Sequence, residues 1–385
     1  MHIEPFSDYR AYMRMATSLL ENGRMNDGMG NVAYYSSGWP IFLSPFFAVF
    51  GATAQVAQIL NVILGTLGIW LVYLCARQLL GNWKWAMLAA LAWALYPPAI
   101  LYTEYVAKEN LMVPMLLAQT YFLLIYPASR HKIRLSVLLG ALFAYELLVG
   151  PAVILTGLLI GLMVSGIHLN REILRSIQWK AMFACLIAFF ITLAPWFTYT
   201  TVQLGKPLLN TNGAFNIYLG NNPAADVKFV GIQHTPLGPV WDGIRKERGE
   251  IGSSAFLKEQ ALNYVKENPG RTAWLSLRKI AYFWKPPIHS GEEENPTAVE
   301  KLMRLGWLIA YNIIVILALV PLLFRQRLNR NHAILFGTVA LYCLIHAAAY
   351  VIFRYRLPVM PLMCILAANG LYLLTEWWKM RRQTG

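Results

Sequence analysis

Three short stretches carry reactive side chains in an otherwise apolar chain. The first, "FSDYRAYMRMA", sets one carboxylate, Asp8, beside Arg10 and Arg14. The second, "YTEYVAKENL", crowds Glu104, Lys108 and Glu109 into one turn, and the third, "VIFRYRLPVM", offers Arg354, Tyr355 and Arg356. A carboxylate can take the proton of a nucleophilic hydroxyl. A guanidinium binds phosphate through paired, charge-assisted hydrogen bonds. The three stretches are therefore parts for chemistry at a phosphate-bearing substrate, if the fold brings them together. Each also has a plainer reading. Asp8 can simply cap an amphipathic helix, the Glu-Lys-Glu turn can be a charged hairpin in headgroup water, and the arginines can bind ordinary lipid headgroups.

The elements that must position them are membrane helices. Hydrophobic residues make up 57% of the 385 and charged ones 14%, with a mean hydropathy of +0.45, a composition of polytopic membrane proteins. Apolar runs near the ~20 residues that cross hydrocarbon lie at about 55–76, 85–103, 109–127, 133–150, 152–168, 181–200, 302–324, 332–353 and 357–378, giving nine expected spans. The run "WPIFLSPFFAVFG" at 39–51 is too short to cross and reads as an interfacial or re-entrant segment. Cys75, Cys185, Cys343 and Cys364 sit in apolar runs without disulfide or zinc spacing and read as small core residues. The net charge of +14 is scattered between spans rather than gathered on one soluble face, which excludes a nucleic-acid partner.

Charge then orients the spans. Arg77 and Lys84; Arg130, Lys132 and Arg134; Arg171, Arg175 and Lys180; Arg325, Arg327 and Arg330; and Lys379, Arg381 and Arg382 occupy alternate connections, fourteen cations against the single acid Glu172. The positive-inside rule makes these cytoplasmic. Residues 1–54, 104–108, 201–301 and 354–356 fall outside, with Trp39, Trp274, Trp284 and Tyr355 as interface markers. An outward-facing start needs a preceding span to deliver it, so a first helix upstream is expected. The organisation that follows is an outer loop with interfacial helices (1–54), about six spans (55–200), an extracytoplasmic domain (201–301), about three spans (302–378) and a cytoplasmic tail (379–385).

On the outer side, Ser7 is placed to cap a helix that has Asp8 in its first turn and Gly23 at its end. Tyr9, Met13, Ala16 and Leu20 recur along one apolar face. The 201–301 region starts with the turn-rich "NGAFNIYLGNNPAA" and ends in an amphipathic segment with Trp274, Leu277, Ile280 and Trp284 among Arg271, Arg278 and Lys279. It contains no P-loop, HExxH, GxSxG or dinucleotide fingerprint.

Asp8 in a first outer loop, "YSSGWPIFLSPFFAVFG", "ALYPPAILYTEYVAKENL", "NIYLGNNPAA" and "RYRLPVMPLMCILAANGL" follow one another in an order that resembles the GT-C glycosyltransferases, specifically the bacterial relatives of protein mannosyltransferases and aminoarabinose transferase. The resemblance runs over nearly the whole chain and rests on the order and sidedness of these stretches. It implies an all-α, polytopic GT-C-like bundle in the bacterial cytoplasmic membrane, with a small extracytoplasmic domain. It also implies an enzyme that moves a sugar from a polyprenyl-phosphate carrier to an acceptor on the outer face. In that family the Asp of the first outer loop acts as base, which Asp8 matches. Lys108-Glu109-Asn110-Leu111 matches the family's SE(P/N)L, favouring Glu109 over Glu104. Many relatives carry Asp-Glu where this chain has Asp8-Tyr9, a departure that bears on metal handling. No resident cofactor or metal ligand set is expected, and a divalent cation is left open. Arg354, Tyr355 and Arg356, with Arg10, Arg14 and Lys108, are the expected substrate-binding groups. Acceptor and donor sugar are not legible, and membrane lipids complete the expected partners. The rivals are a transporter or flippase of a lipid-linked or anionic solute and a polysaccharide polymerase or ligase. Against a transporter, the spans carry few ionisable residues beyond Glu146 and His346.

Overall fold

The computed structural model describes residues 7–166, 177–287 and 297–384. The expected cytoplasmic residues Arg171, Glu172 and Arg175 lie outside this set. Among the described residues the regular structure is helical, with no strand. Helix α1 (Ser7–Asn22) is followed by the short apolar α2 (Gly38–Phe50). Next come α3 (Ala54–Leu80), α4 (Trp83–Ala94), α5 (Pro97–Leu101), α6 (Glu109–Ile125), α7 (Lys132–Val149), α8 (Gly157–Ser165) and α9 (Trp179–Leu204). Helices α10 (Asn212–Gly220), α11 (Trp241–Glu267) and α12 (Pro269–Phe283) fall in the 201–301 region, and α13 (Ala298–Leu319), α14 (Arg330–Ala347) and α15 (Met360–Thr384) return to apolar sequence.

The chain is a multi-pass membrane protein. Among the described residues, five helices are long and apolar enough to cross hydrocarbon: Ala54–Leu80, Glu109–Ala128, Trp179–Leu204, Ala298–Leu323 and Phe353–Gln383. The pair α4 and α5, bent by 57° at a short break, makes a sixth if it crosses as one. Such segments must be helical, because hydrocarbon leaves backbone groups no partner but each other. Three expected spans differ from this set. Helix α7 carries Lys132, Arg134 and Glu146, and α14 carries Arg330, His332 and His346, which lower their apolarity. The run at 151–165 is shortened by a 3-10 turn at Pro151–Thr156.

Helix α15 lies in the middle of the bundle, buried against α13, α4 and α3. Helices α9 and α13 instead turn Phe183, Ile187, Phe190, Ile309, Ile313 and Ile316 outward, an apolar surface suited to lipid. Cys75, Cys343 and Cys364 are buried free thiols and Cys185 is half-buried.

Helix α1 has Asp8 in its first turn and Gly23 leaving it at φ +64°, its N–H on the Leu19 carbonyl, while the expected cap Ser7 is its first described residue and donates its hydroxyl to Asp8 Oδ1 at 3.3 Å. The buried face is Tyr9, Tyr12 and Ala16 with Ala11 and Met15. This is rotated from the expected stripe: Leu20 is exposed and Met13 only half-buried. The large tyrosine rings set the rotation, Tyr9 meeting Tyr105 at 5.5 Å and Tyr12 meeting Tyr35 at 5.8 Å.

Candidate active site

Each arm of the site is pinned by buried polar contacts. The turn before α6 is held by two asparagine amides. Asn61 of α3 donates to the Thr103 and Tyr105 carbonyls, and Asn110 donates to those of Tyr102, Tyr105 and Ala107. The Trp39 indole N–H adds a bond to the Val106 carbonyl at 3.2 Å. These bonds satisfy carbonyls that would otherwise be stranded in an apolar setting. They also fix Lys108 and Glu109 at the first turn of α6.

Arg354 enters from the 3-10 turn Phe353–Val359 before α15. Its Nη2 donates to Asp8 Oδ2 at 2.5 Å, its Nη1 to the Tyr9 hydroxyl at 3.3 Å, and its Nε stands 3.7 Å from Glu109 Oε1. One guanidinium thus joins the first and second expected carboxylates, residues 8 and 109. Glu109 is almost wholly buried, whereas Asp8 and Arg354 keep an edge to solvent. The Arg354 guanidinium also stands over the rings of Tyr9 and Tyr355 at 5.7 and 6.0 Å. Lys108 reaches Ser36 Oγ at 3.4 Å. Burial pulls its ammonium below the ordinary lysine range, against the opposing pull of Glu109.

These groups line a cleft of about 210 Å³ whose remaining wall is mainly aromatic and amide: Tyr12, Tyr34, Tyr35, Phe215, Asn216 and Tyr350 among others. Burial raises the phenols of Tyr12 and Tyr34 well above the usual range and that of Tyr35 to about 12. At neutral pH they are hydroxyl donors and acceptors.

The other expected site residues lie elsewhere. Arg356 points away from this cleft and is buried, its Nη1 donating to the Phe283 and Lys285 carbonyls at 3.2 and 2.7 Å. Its guanidinium lies 4.3 Å from the Tyr311 ring and 4.8 Å from that of Phe353. Alternation along one extended turn would have set residues 354 and 356 together, but the 3-10 turn swings them apart. Arg10 and Arg14 are exposed on the far side of α1 from its buried tyrosines, with Arg14 beside Gly28. Glu104 is exposed and contributes its carbonyl to Gln58. Tyr355 lines the cleft and stacks on His346 at 4.6 Å. The tyrosines of "AYYSSG" and the asparagines of "NGAFNIY" were not singled out from the sequence, although their density was a signal. Among the described residues, no group of three or more His, Cys, Asp or Glu is arranged to hold a metal ion. The cation between Asp8 and Glu109 is Arg354 itself.

Residues 38–196 match the family described as dolichyl-phosphate-mannose-protein mannosyltransferase. The chain resembles membrane glycosyltransferases. The matched segment holds Lys108 and Glu109 but neither Asp8 nor Arg354. No curated protein sequence matches the chain. Among solved structures, ArnT from Cupriavidus metallidurans bound to undecaprenyl phosphate is 12% identical, with a TM-score of 0.46 over 95% of this chain and 73% of that one. The apo form of the same protein gives 12%, 0.44, 96% and 74%. The archaeal oligosaccharyltransferase AglB from Archaeoglobus fulgidus, in complex with an inhibitory peptide and a dolichol-phosphate, is 13% identical, with a TM-score of 0.49 over 98% of this chain and 47% of that chain.

Proposed function

We infer that the protein is a glycosyltransferase that moves a sugar from a polyprenyl-phosphate-linked donor to an acceptor on the outer face of the cytoplasmic membrane. The observation that carries this reading is the convergence of Asp8, Glu109, Lys108 and Arg354 in one cleft at the ends of apolar helices. The family matched by residues 38–196 acts with a lipid-phosphate-linked sugar, which supports the same donor class.

In this reading Asp8 takes the proton of an acceptor hydroxyl as its oxygen attacks the anomeric carbon. The bond from that carbon to the phosphate oxygen breaks, and the departing phosphate carries the electron pair away. Lys108 and Arg354 stabilise the charge that develops there. Glu109 holds Arg354 from the protein side, so the guanidinium can turn from Asp8 to the phosphate without losing every partner. A single displacement of this kind inverts the anomeric carbon.

Asp8→Asn tests the assignment, because the amide keeps size and polarity but takes no proton. Single-turnover transfer from a defined polyprenyl-phosphate sugar is expected to fall by about 10²-fold or more, with donor affinity within a few fold of wild type. Wild-type turnover in this variant removes Asp8 as base.

A further inference from the structure

Helix α12 has two apolar faces. Leu275 and Phe283, with the buried Lys279 between them, turn into the protein. On the opposite side Trp274, Leu277 and Ala281 share a second face at helical spacing, and Trp274 and Leu277 are 63% and 61% exposed. Arg271 and Arg278, two turns apart, form an exposed edge to this outer face, and Lys285 follows at the same interval. The helix itself holds no acidic residue. Arg271 uses one N–H on the Pro223 carbonyl at 3.2 Å, and the Asp226 carboxylate stands 3.9 Å from Arg278.

The end of α12 sits at membrane depth. Tyr311 of α13 donates to the Trp284 carbonyl at 2.8 Å, and the Arg356 guanidinium, against the Tyr311 ring, donates to the Phe283 and Lys285 carbonyls. Three successive carbonyls at this helix end are thus met by protein donors, as a setting without water requires. Tyr311 lies about 20 Å from the Ala298 end of its span and about 18 Å from the Leu323 end, at 1.5 Å per residue. Hydrocarbon is ~30 Å thick, so Tyr311 is about 20 Å deep if the Ala298 end is flush with the membrane, and still about 12 Å deep if the Leu323 end is. Along α12, Leu277 is about 11 Å and Trp274 about 15 Å from Trp284. At any tilt, a helix leaving that depth keeps Leu277 among acyl chains and brings Trp274 no higher than the headgroup level, where tryptophan is favoured.

We propose that the outward face of α12 is a binding surface for anionic phospholipid. Trp274, Leu277 and Ala281 lie against the acyl chains of the leaflet nearest the cleft, and Arg271 and Arg278 hold lipid phosphates at its surface. Paired guanidinium N–H groups match phosphate oxygens, and basic residues beside an apolar helix face mark an interfacial helix. The 201–301 region is then seated in the membrane on this helix rather than standing clear of it. This seat does not depend on the glycosyl-transfer reading.

A bimane fluorophore on Leu277→Cys, in the full chain reconstituted into phosphatidylcholine bilayers containing phosphatidylglycerol, tests the surface. The comparison site is Glu259→Cys, at an exposed position of α11. The labelled parent chain, with Cys185 half-buried and the other three thiols buried, supplies the background. Lipids carrying a nitroxide near the top of the acyl chain should quench position 277 and leave 259 bright, while iodide should do the reverse. At equal bulk fraction, nitroxide phosphatidylglycerol should quench 277 about fivefold more effectively than nitroxide phosphatidylcholine, the value of one surface cation at an anionic headgroup. Arg271→Gln combined with Arg278→Gln should bring that ratio close to one, and the paired lysine substitutions should keep most of it. Iodide quenching at 277 equal to that at 259 overturns the membrane seat. Protection from both quenchers overturns it as well, since a second copy or another protein would then cover the face. Equal quenching by the two headgroups with both arginines present overturns the anionic preference, and a ratio that survives the glutamine pair overturns its assignment to these arginines.

Discussion

Replacing Arg354 by methionine keeps the aliphatic stem against Tyr9 and Tyr355 but takes away the charge that joins two carboxylates. The two arms differ. The Asp8 arm is short, at 2.5 Å, yet Asp8 and Arg354 are 27% and 22% exposed, so water can take over part of that interaction. The Glu109 arm is longer, at 3.7 Å, but Glu109 is only 4% exposed and has no comparable recourse to solvent. Removing one partner of a fully buried pair costs about 3–5 kcal/mol, and a surface pair is worth at most about 1 kcal/mol. Arg354→Met should therefore lose about 2–4 kcal/mol, most of it from stranding Glu109. Glu109→Gln in the same background removes the stranded charge and should recover about 1–2 kcal/mol. The assay is a double-mutant cycle read by denaturant unfolding of the purified chain in detergent, with donor affinity measured on the same samples. Strict additivity of the two substitutions would refute the claim that Arg354 is held by Glu109. Wild-type donor affinity in Arg354→Met would remove it as a phosphate ligand.

Arg356→Met should behave differently: loss of its bonds to the Phe283 and Lys285 carbonyls is expected to cost about 2–3 kcal/mol of stability, with donor affinity unchanged when measured on the folded fraction. Glu250→Ala should leave the Val32 and Ala33 N–H groups without their carboxylate and raise hydrogen exchange at those two amides before it changes global unfolding. Lys279, fully buried with its Nζ on the Gly220 carbonyl at 2.8 Å, has its ammonium lowered to about 8 by burial. Its folded pKa is below the unfolded one, so its penalty is full below about pH 8, and stability should rise from there towards the unfolded lysine value of ~10.4. Lys279→Met should flatten that rise in a pH series of unfolding midpoints, and an unchanged series would count against the burial argument.

The sequence made legible what depends on local chemistry. Apolar length marked α3, α6, α9, α13 and α15, and Gly23 marked the end of α1. Ionisable groups in apolar surroundings marked Asp8, Lys108, Glu109 and Arg354, since such groups are costly unless used or paired. What stayed hidden depends on long-range packing. Helix α1 turns Tyr12 rather than Met13 inward because other elements supply its partners. Arg354 and Arg356 share a residue type and a neighbourhood, yet a 3-10 turn sends one to the cleft and the other under Tyr311.

The site also explains why so polar an N-terminal helix belongs to this bundle. Helix α1 brings a carboxylate, and the turn before α15 brings the cation that meets it, from opposite ends of the chain. Helix α6 brings Glu109 to the same guanidinium from the bundle side. Without Asp8, Arg354 keeps the buried Glu109 as its carboxylate. Without Arg354, two carboxylates share a cleft with only the burial-weakened ammonium of Lys108. The arginine is thus the structural keystone of the cleft as well as the group suited to a departing phosphate, which is why Asp8→Asn should leave stability largely unchanged while Arg354→Met should lower it by about 2–4 kcal/mol.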